Sequence, residues 1–575
     1  METLPVPRFS KRYDSVSGEK ATGTTYTPSE LADFVATEMV RAAVLEKNGA
    51  PLRVLDPAVG EGELLASLLG QLPASRRVEV FGFDHDERAL GVAHERLSGL
   101  HKRATLHLER CDFLQFATGA GGLPLFNTAA PAAFDLVIAN PPYVRTQIMG
   151  AAQAQSLAVR FGLTGRVDLY HAFLLAIASV LRPHGVAGLI VSNRFMTTKA
   201  GATVRQAVQE RFSIKHVWDL GDTKLFDAAV LPAVLVAEGR NGQAPAQPKF
   251  STIYETKGDA STKASSAIEA LGKAGVVEVP DGRRFRVQHG LLNQTGSVND
   301  VWRIATEESD AWLTTVLANS WGTFRDIGKV RVGVKTCADK IFIRDDWETL
   351  DASERPELLR PLTTHHIGRR FRADASEDGK RIVYPHECVN GKRRAVDIAR
   401  YPKTKKYLQQ HRAALEERTY VLEAGRQWYE IWVPQDPDAW ERPKLVFRDI
   451  SEEPCFWLDR EGTIVNGDCY WLVCEGRASE DLLWLAVSVG NSKFIEAFYD
   501  HRFNNKLYAG RRRFITQYVE KFPLPDPTKP VSKEIVRMAK ALYEEKDEQK
   551  AARMAPELDR LVWTAFGLDV EEVSR

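Results

Sequence analysis

Between Thr27 and about Glu238 the chain alternates between short, almost uninterrupted apolar runs and helix-like stretches. The runs include "LRVLD", "RVEVFGFD", "FDLVIAN", "GVAGLIVSN", "IKHVWDLG" and "PAVLVAEG". Between them stand "LLASLLGQL", "ERALGVAHERLSGL", "DLYHAFLLAIASVL" and "TVRQAVQERF". A strand that is apolar at successive positions has both faces buried. Such strands separated by helices predict an α/β fold, a parallel sheet covered on both sides.

In an open parallel sheet, ligands bind beyond the carboxyl ends of the strands. Several of these runs end in polar or small residues. "VLDPAVGEGELL" closes on Asp56 and turns through Pro57, Ala58, Gly60 and Gly62 into a helix; glycine lets a backbone approach a ligand where a side chain would clash. The spacing is neither GxGxxG nor a P-loop, which needs a Lys-Ser/Thr pair. "VFGFD" closes on Asp84, whose carboxylate suits a ribose diol. "RCDF" offers Asp112 as an acceptor for an adenine amino group. Each of these acids reads equally well alone as a helix cap; their order along successive strands is what points to a cofactor.

"FDLVIANPPYVRTQ" ends its strand in Asn140, Pro141, Pro142 and Tyr143. The prolines stop the strand and stiffen the turn. An amide, two prolines and a flat ring at one strand tip do nothing for the strand itself, so they point to chemistry at that end of the sheet.

Taken in order, "TPSELADFV", "DPAVGEG", "FD", "CDF" and "NPPY" resemble the amino-methylating DNA methyltransferases that use S-adenosylmethionine. More narrowly they resemble the adenine-specific group typified by the TaqI methyltransferase, in which the cofactor motifs come first and a target-recognition domain follows. The resemblance is strong over residues 25–240 and weaker over 320–527, where "LLRPLTTHHIG" and "RFITQYVEKFPLP" look like recognition-domain elements. It implies a Rossmann-like class I S-adenosylmethionine-dependent methyltransferase domain followed by an α+β target-recognition domain. It implies cofactor contacts at Thr27, Asp56, Pro57, Ala58, Gly60, Gly62, Asp84, Asp112 and Asn140, and catalysis by Asn140, Pro141, Pro142 and Tyr143 on the N6 amino group of a flipped-out adenine in double-stranded DNA. Phe226, in "LGDTKLFDAAVLPAVLVAE", matches the group's second stacking aromatic; by its own pattern it could equally be a core residue. "DPAVGEG" departs from the commoner Phe-containing form, and Asp84 stands where Glu is usual.

Asn-Pro-Pro-Tyr also occurs in small enzymes that methylate a glutamine amide, so a protein or RNA methyltransferase stays open, as does a DNA-specificity module without catalysis. The long second half favours DNA. Three basic and aromatic clusters lie in it: "HHIGRRFR" with Arg369 and Arg370, "NGKRRAV" with Arg393 and Arg394, and "HRFNNKLYAGRRRF" with Asn504, Asn505, Lys506, Arg511, Arg512 and Arg513. Arginine neutralises phosphate and reads guanine, and Asn pairs with adenine. Net charge is only +1, from 77 basic and 76 acidic residues, so any DNA surface must be local.

The expected organisation is a flexible stretch over 1–25, a methyltransferase domain over 26–245, a connector or extension over 246–310, a recognition domain over 311–527 and a helical tail over 528–575. No stretch has room for a fused nuclease, so a separate restriction endonuclease is the expected partner, and the chain is expected to act as a monomer. Six scattered cysteines without a CxxC pair argue against zinc or a disulfide framework and for a reducing cytoplasm. The longest apolar stretch is broken by Arg182, Pro183 and His184 and does not read as a membrane span.

Overall fold

The computed structural model describes residues 26–45, 50–118, 134–143, 151–163, 168–226, 231–240, 242, 246–293, 301–374, 379–476, 478–503 and 511–568. The chain divides into two compact units, with the boundary between Thr306 and Glu307.

The first unit is built on one large sheet. Its strands are β1 (Leu52–Asp56), β2 (Val78–Asp84), β3 (Ala104–Arg110), β4 (Phe134–Ala139), β5 (Leu181–Ser192), β6 (Phe212–Asp219), β7 (Pro232–Gly239), β8 (Lys249–Glu255), β9 (Thr262–Lys263), β10 (Gly275–Glu278), β11 (Arg284–Leu292) and β12 (Ile304–Ala305). The order is β3-β2-β1-β4-β5-β7-β6-β8-β11-β10-β9, with β12 paired to β11. β1 pairs parallel with both β2 and β4, so the order reverses there, and β7 runs antiparallel between β5 and β6. The reversal leaves a crevice at the carboxyl ends of β1 and β4, where open α/β sheets bind ligands.

The uninterrupted apolar runs have the expected cause. Leu136 and Ile138 of β4 face one buried cluster with Val54 and Ile190; Val137 and Ala139 face another with Leu55 and Leu189. The helix Ser29–Ala42 covers one face with Leu31, Ala32, Val35, Ala36 and Met39 at helical spacing. It comes so close to β5 that a Cβ on Gly188 would lie 2.9 Å from the Met39 sulfur.

The stretch over 246–310, expected as a connector or extension, forms strands that extend the sheet: β8 joins β6 in parallel, and β9 to β11 continue beyond it.

The second unit contains two four-stranded sheets of short strands. One orders 331–332, 469–473, 444–448 and 456–459; the other orders 343–344, 381–383, 359–363 and 464–465. Its core holds the fully buried Trp347, Trp440, Trp457 and Trp471. A hairpin over 386–395 turns on Asn390 and Gly391, both at positive φ, the conformation a two-residue hairpin loop demands. The tail forms two helices, Pro530–Glu544 and Glu548–Ala565, the first burying Ile535, Met538, Ala539 and Leu542. Among the described residues no helix is long and apolar enough to cross a membrane.

Candidate active site

Asp56, Asp84, Asn140, Asn193 and Asp219 end, or directly follow, the mutually parallel β1, β2, β4, β5 and β6, which brings all five to one edge of the sheet.

Asp56 is 1% exposed. Its Oδ1 accepts from the Ala58 amide at 3.0 Å, and its Oδ2 is buried without a partner. Burial, against the Ala58 bond and with help from the Asp84 charge, pushes its carboxyl up to about 8. The Gly-rich turn is tied to β2: Gly60 N donates to Asp84 Oδ2 at 2.9 Å, Val59 N to the Phe83 carbonyl at 2.9 Å, and Asp86 N to Asp84 Oδ1 at 3.0 Å. Gly62 caps the next helix at φ +83°, a left-handed conformation that favours glycine, and a Cβ there would lie a tight 3.2 Å from Ala93. Asp112 caps the helix Phe113–Ala117, accepting from Leu114 N, Gln115 N and Gln115 Nε2.

Asn140 is held from two sides. Its Nδ2 donates to Thr27 Oγ1 at 3.1 Å, and its Oδ1 accepts from the Tyr143 hydroxyl at 3.0 Å. Thr27, expected at the cofactor, thus also sets the amide's orientation. Burial raises the Tyr143 hydroxyl pKa and keeps it a donor. The Tyr143 ring meets Tyr170 edge-on at 5.9 Å. Pro141 is buried, and no hydrogen bond among the described residues ends on its carbonyl.

Phe226 is 8% exposed and packs in the cluster containing Trp218, Leu220 and Ile253. The loop leading to it hangs on a buried carboxylate absent from the sequence reading. Asp219 accepts from Asn193 Nδ2 at 2.9 Å, the Tyr254 hydroxyl at 2.6 Å and Gly221 N at 3.1 Å. Asp222 Oδ1 accepts from Glu255 N at 2.8 Å. Asn193 and Asp219 carry the same strand-end signal that singled out Asp56 and Asp84. Tyr254 and Tyr170 carry none, lying inside a strand and a helix.

In the second unit the basic clusters divide. Arg512 is 9% exposed and bidentate on Asp500 at 2.9 and 2.8 Å, with Glu496 3.3 Å away; its charge is spent inside the unit, so the expectation that it faces DNA is corrected. Arg513 pairs with Asp449 at 3.1 Å, and Arg511 is exposed. Arg393 and Arg394 stand exposed on the 386–395 hairpin, bonded to the Gln435 carbonyl and to Glu387. Arg370 pairs with Glu453, and Arg369 donates to the carbonyls of His366 and Gly368. Asn504, Asn505 and Lys506 lie outside the described residues.

Residues 79–226 match the Eco57I restriction-modification methylase family, and residues 390–524 match the TaqI-like C-terminal specificity domain. The Type II methyltransferase M.BanIII of Aneurinibacillus aneurinilyticus is 38% identical over 96% of this chain and 98% of its own length. The chain belongs to the Type II restriction-modification methyltransferases. A more distant Type II methyltransferase, M.PaeR7I of Pseudomonas aeruginosa, is 26% identical over 99% of this chain and 96% of its own. The fold is shared with the Type IIL restriction-modification enzyme MmeI solved in complex with DNA, at 12% identity and a TM-score of 0.58, over 94% of this chain and 72% of that one.

As a Type II methyltransferase the protein takes its methyl group from S-adenosylmethionine and acts on DNA. The edge fits that cofactor. It is a cation, and the buried, unpartnered Asp56 Oδ2 is an acceptor in want of a donor. Asp84 uses one lone pair on each oxygen and keeps others for hydroxyls. Gly60, at φ +50°, has nothing within 4 Å of where a Cβ would stand, open room beside both acids.

Proposed function

We propose that this methyltransferase modifies the exocyclic N6 of an adenine flipped out of duplex DNA, and that it protects the sites of a separate restriction endonuclease. The observation that carries the reading is Asn140, a strand-end amide whose oxygen is aimed by two side chains, followed by the Pro141 carbonyl, on which no hydrogen bond among the described residues ends. The amino nitrogen of adenine is planar and weakly nucleophilic. Acceptance of one N–H by Asn140 Oδ1 and of the other by the Pro141 carbonyl favours a pyramidal nitrogen with its lone pair exposed. S-Adenosylmethionine supplies an electrophilic methyl on a sulfonium. No strong base is needed at Asn140, because the amino proton becomes acidic as the nitrogen gives up its lone pair.

The residues act by aim and polarity, already in place before the base arrives. The Tyr143 hydroxyl now on Oδ1 holds the position that a substrate N–H would share or take, and the Tyr143 ring supplies a stacking face. Flipping costs about a few kcal/mol, and stacking returns roughly 1–3 kcal/mol per base.

The test is to express the protein in cells lacking DNA methylation and to analyse the nucleosides and the methylated sites. N6-methyladenine at one recurrent site supports the reading. Methyl groups only on cytosine, or on protein with none on DNA, would overturn it. Asn140→Ala in the same cells links the product to this amide.

A further inference from the structure

The hairpin over 386–395 is a sheet of two strands only, apart from both four-stranded sheets of the second unit. His386 pairs with Ala395, Glu387 with Arg394, Cys388 with Arg393 and Val389 with Lys392, and the chain turns on Asn390 and Gly391. Cross-strand partners share a face and successive residues alternate. One face therefore carries His386, Cys388, Arg393 and Ala395, and the other carries Glu387, Val389, Lys392 and Arg394. Every member of the first face is tied to the body of the unit. His386 is buried, and its Nε2 accepts from Ile431 N at 3.0 Å. The Cys388 thiol bonds the Asp438 carboxylate, Arg393 donates to the Gln435 carbonyl at 3.1 Å, and Ala395 packs against the tryptophan-rich core. The root of the hairpin is held as well: Val396 N donates to the Pro385 carbonyl at 3.1 Å, and the Tyr429 hydroxyl to the Val396 carbonyl at 2.9 Å.

With that face turned inward, the second faces out. Lys392 is exposed, Val389 is half-buried, and the Arg394 side chain is 56% exposed. Arg394 donates to Glu387 on the neighbouring strand at 2.9 Å, a surface pair that holds weakly and exchanges readily. At the tip Asn390 is exposed too. Among the described residues neither the Asn390 amide nor the Lys392 ammonium has a hydrogen-bond or ion-pair partner. Charge divides in the same sense. Oxygens of Asp436 and Asp438 lie within 4.8 Å of the Cys388 sulfur, on the inner side. The outer face carries two cations and one carboxylate.

We propose that the outer face of this hairpin, with its Asn390 tip, enters the major groove of DNA and reads base edges. That groove admits a two-stranded ribbon. The side chains match what its edges offer: lysine and arginine donate to guanine O6 and N7, asparagine pairs with adenine, and an apolar side chain such as Val389 meets the thymine methyl. A ribbon held at its root presents these groups in a fixed order, which base reading needs and phosphate neutralisation does not. Arg393, on the inner face, takes no part in the contact. The tip lies inside the 390–524 stretch that matches the specificity domain. The inference rests on the reading of this chain as a site-specific methyltransferase of duplex DNA.

The test makes Asn390→Gly, Lys392→Ala and Arg394→Gln singly; the first keeps the left-handed turn, which glycine adopts freely. Sequencing of methylated DNA from cells expressing each variant gives the set of modified sites. The wild-type site then supplies a cognate duplex for competition against the same duplex with one base pair changed. The expected result is a set of sites that becomes degenerate at one position in at least one variant. Discrimination at that position should fall roughly 5- to 150-fold, with S-adenosylmethionine affinity and melting temperature unchanged. The wild-type set of sites in all three variants would overturn the proposal, and so would a loss of binding equal for every duplex. A wild-type protein that leaves DNA unmodified would overturn the DNA reading and the hairpin's role with it. Sites relaxed by the variants but methylated on cytosine would support the hairpin and overturn only the adenine reading, which separates the two failures.

Discussion

In the proposed reaction Asn140 would act through an oxygen it cannot aim by itself, since an isolated amide is free to rotate. Thr27 and Tyr143 hold its two ends, so its cost of ordering is met before substrate arrives. Asn140→Ala should leave cofactor affinity intact and lower kcat on the order of 100-fold or more, the usual scale for a preorganised polar contact to a reacting centre. Thr27→Val keeps the shape and removes one restraint. It should cost about 1 kcal/mol, a several-fold loss in kcat that Thr27→Ser restores. A full-rate Thr27→Val enzyme would show that the amide needs no help from this side. Asp56 makes a different prediction. Its carboxyl is pushed up to about 8 from an ordinary value of 3.8. Between those limits the folded state binds a proton that the unfolded state has released, so apo-protein stability should fall as pH rises from about 4 to about 8. A cation seated on Oδ2 favours the ionised form, so S-adenosylmethionine should bind more tightly with rising pH up to about 8, releasing a proton as it does. Titration calorimetry in buffers of different ionisation enthalpy reads that proton. Asp56→Asn should flatten both dependences, and equal cofactor affinity at pH 6 and 8 in the wild type would refute the pairing.

The β6–β7 loop is where one buried carboxylate decides the course of an element. Asp219 receives three donors from β5, β8 and the loop itself, and Gly221 has room only as glycine, since a Cβ would lie 2.2 Å from the Ile253 carbonyl. Tyr254→Phe removes one donor from a buried carboxyl and should cost about 1–3 kcal/mol of stability. If the loop sets Phe226 for base capture, the same change should reduce the fluorescence of 2-aminopurine at the target position while sparing S-adenosylmethionine affinity. Phe226→Ala with an undiminished signal would show that Phe226 is only a core residue; loss there but not in Tyr254→Phe would confine Asp219 to stability. At this scale the sequence was readable wherever both faces of a strand are buried. β1, β4, β7 and the stretch of β5 from Gly185 onward announce themselves because nearly every successive side chain is buried. β11 does not: one of its faces carries exposed Arg286 and Gln288, its other face ends in exposed His289 and Leu291, and β9 is exposed throughout. With no continuous apolar run to show, that stretch could be read only as a connector or extension, and Tyr254 was lost with it.

For the whole molecule, the first unit's alternation of strands and helices was legible, but not its strand order or its antiparallel β7, since β1 pairs with β4 across two intervening strands and β7 is inserted between β5 and β6; the second unit pairs strands farther apart still. Arg331 registers with Trp471, and Leu362 with Ile464, on strands two to five residues long. No local pattern encodes such pairings, so only the unit's basic and aromatic character showed, and composition alone could not tell Arg512, buried on Asp500, from Arg370 on the surface. The cores themselves support a prediction about the intact chain. Each unit encloses its own: two apolar clusters line the faces of the large sheet, and a tryptophan-rich cluster fills the second unit. The acids expected to hold S-adenosylmethionine, Asp56, Asp84 and Asp112, all belong to the first. A ligand that binds one folded unit stabilises that unit by about 2.7 kcal/mol at a hundred times its Kd. Scanning calorimetry of the full-length protein should therefore resolve two transitions, of which S-adenosylmethionine raises one by a few degrees, and duplex DNA should raise the other. A single transition that moves as a whole with the cofactor would mean that the two cores unfold as one cooperative unit, and the assignment of cofactor and DNA to separate halves would then have to be made by binding alone.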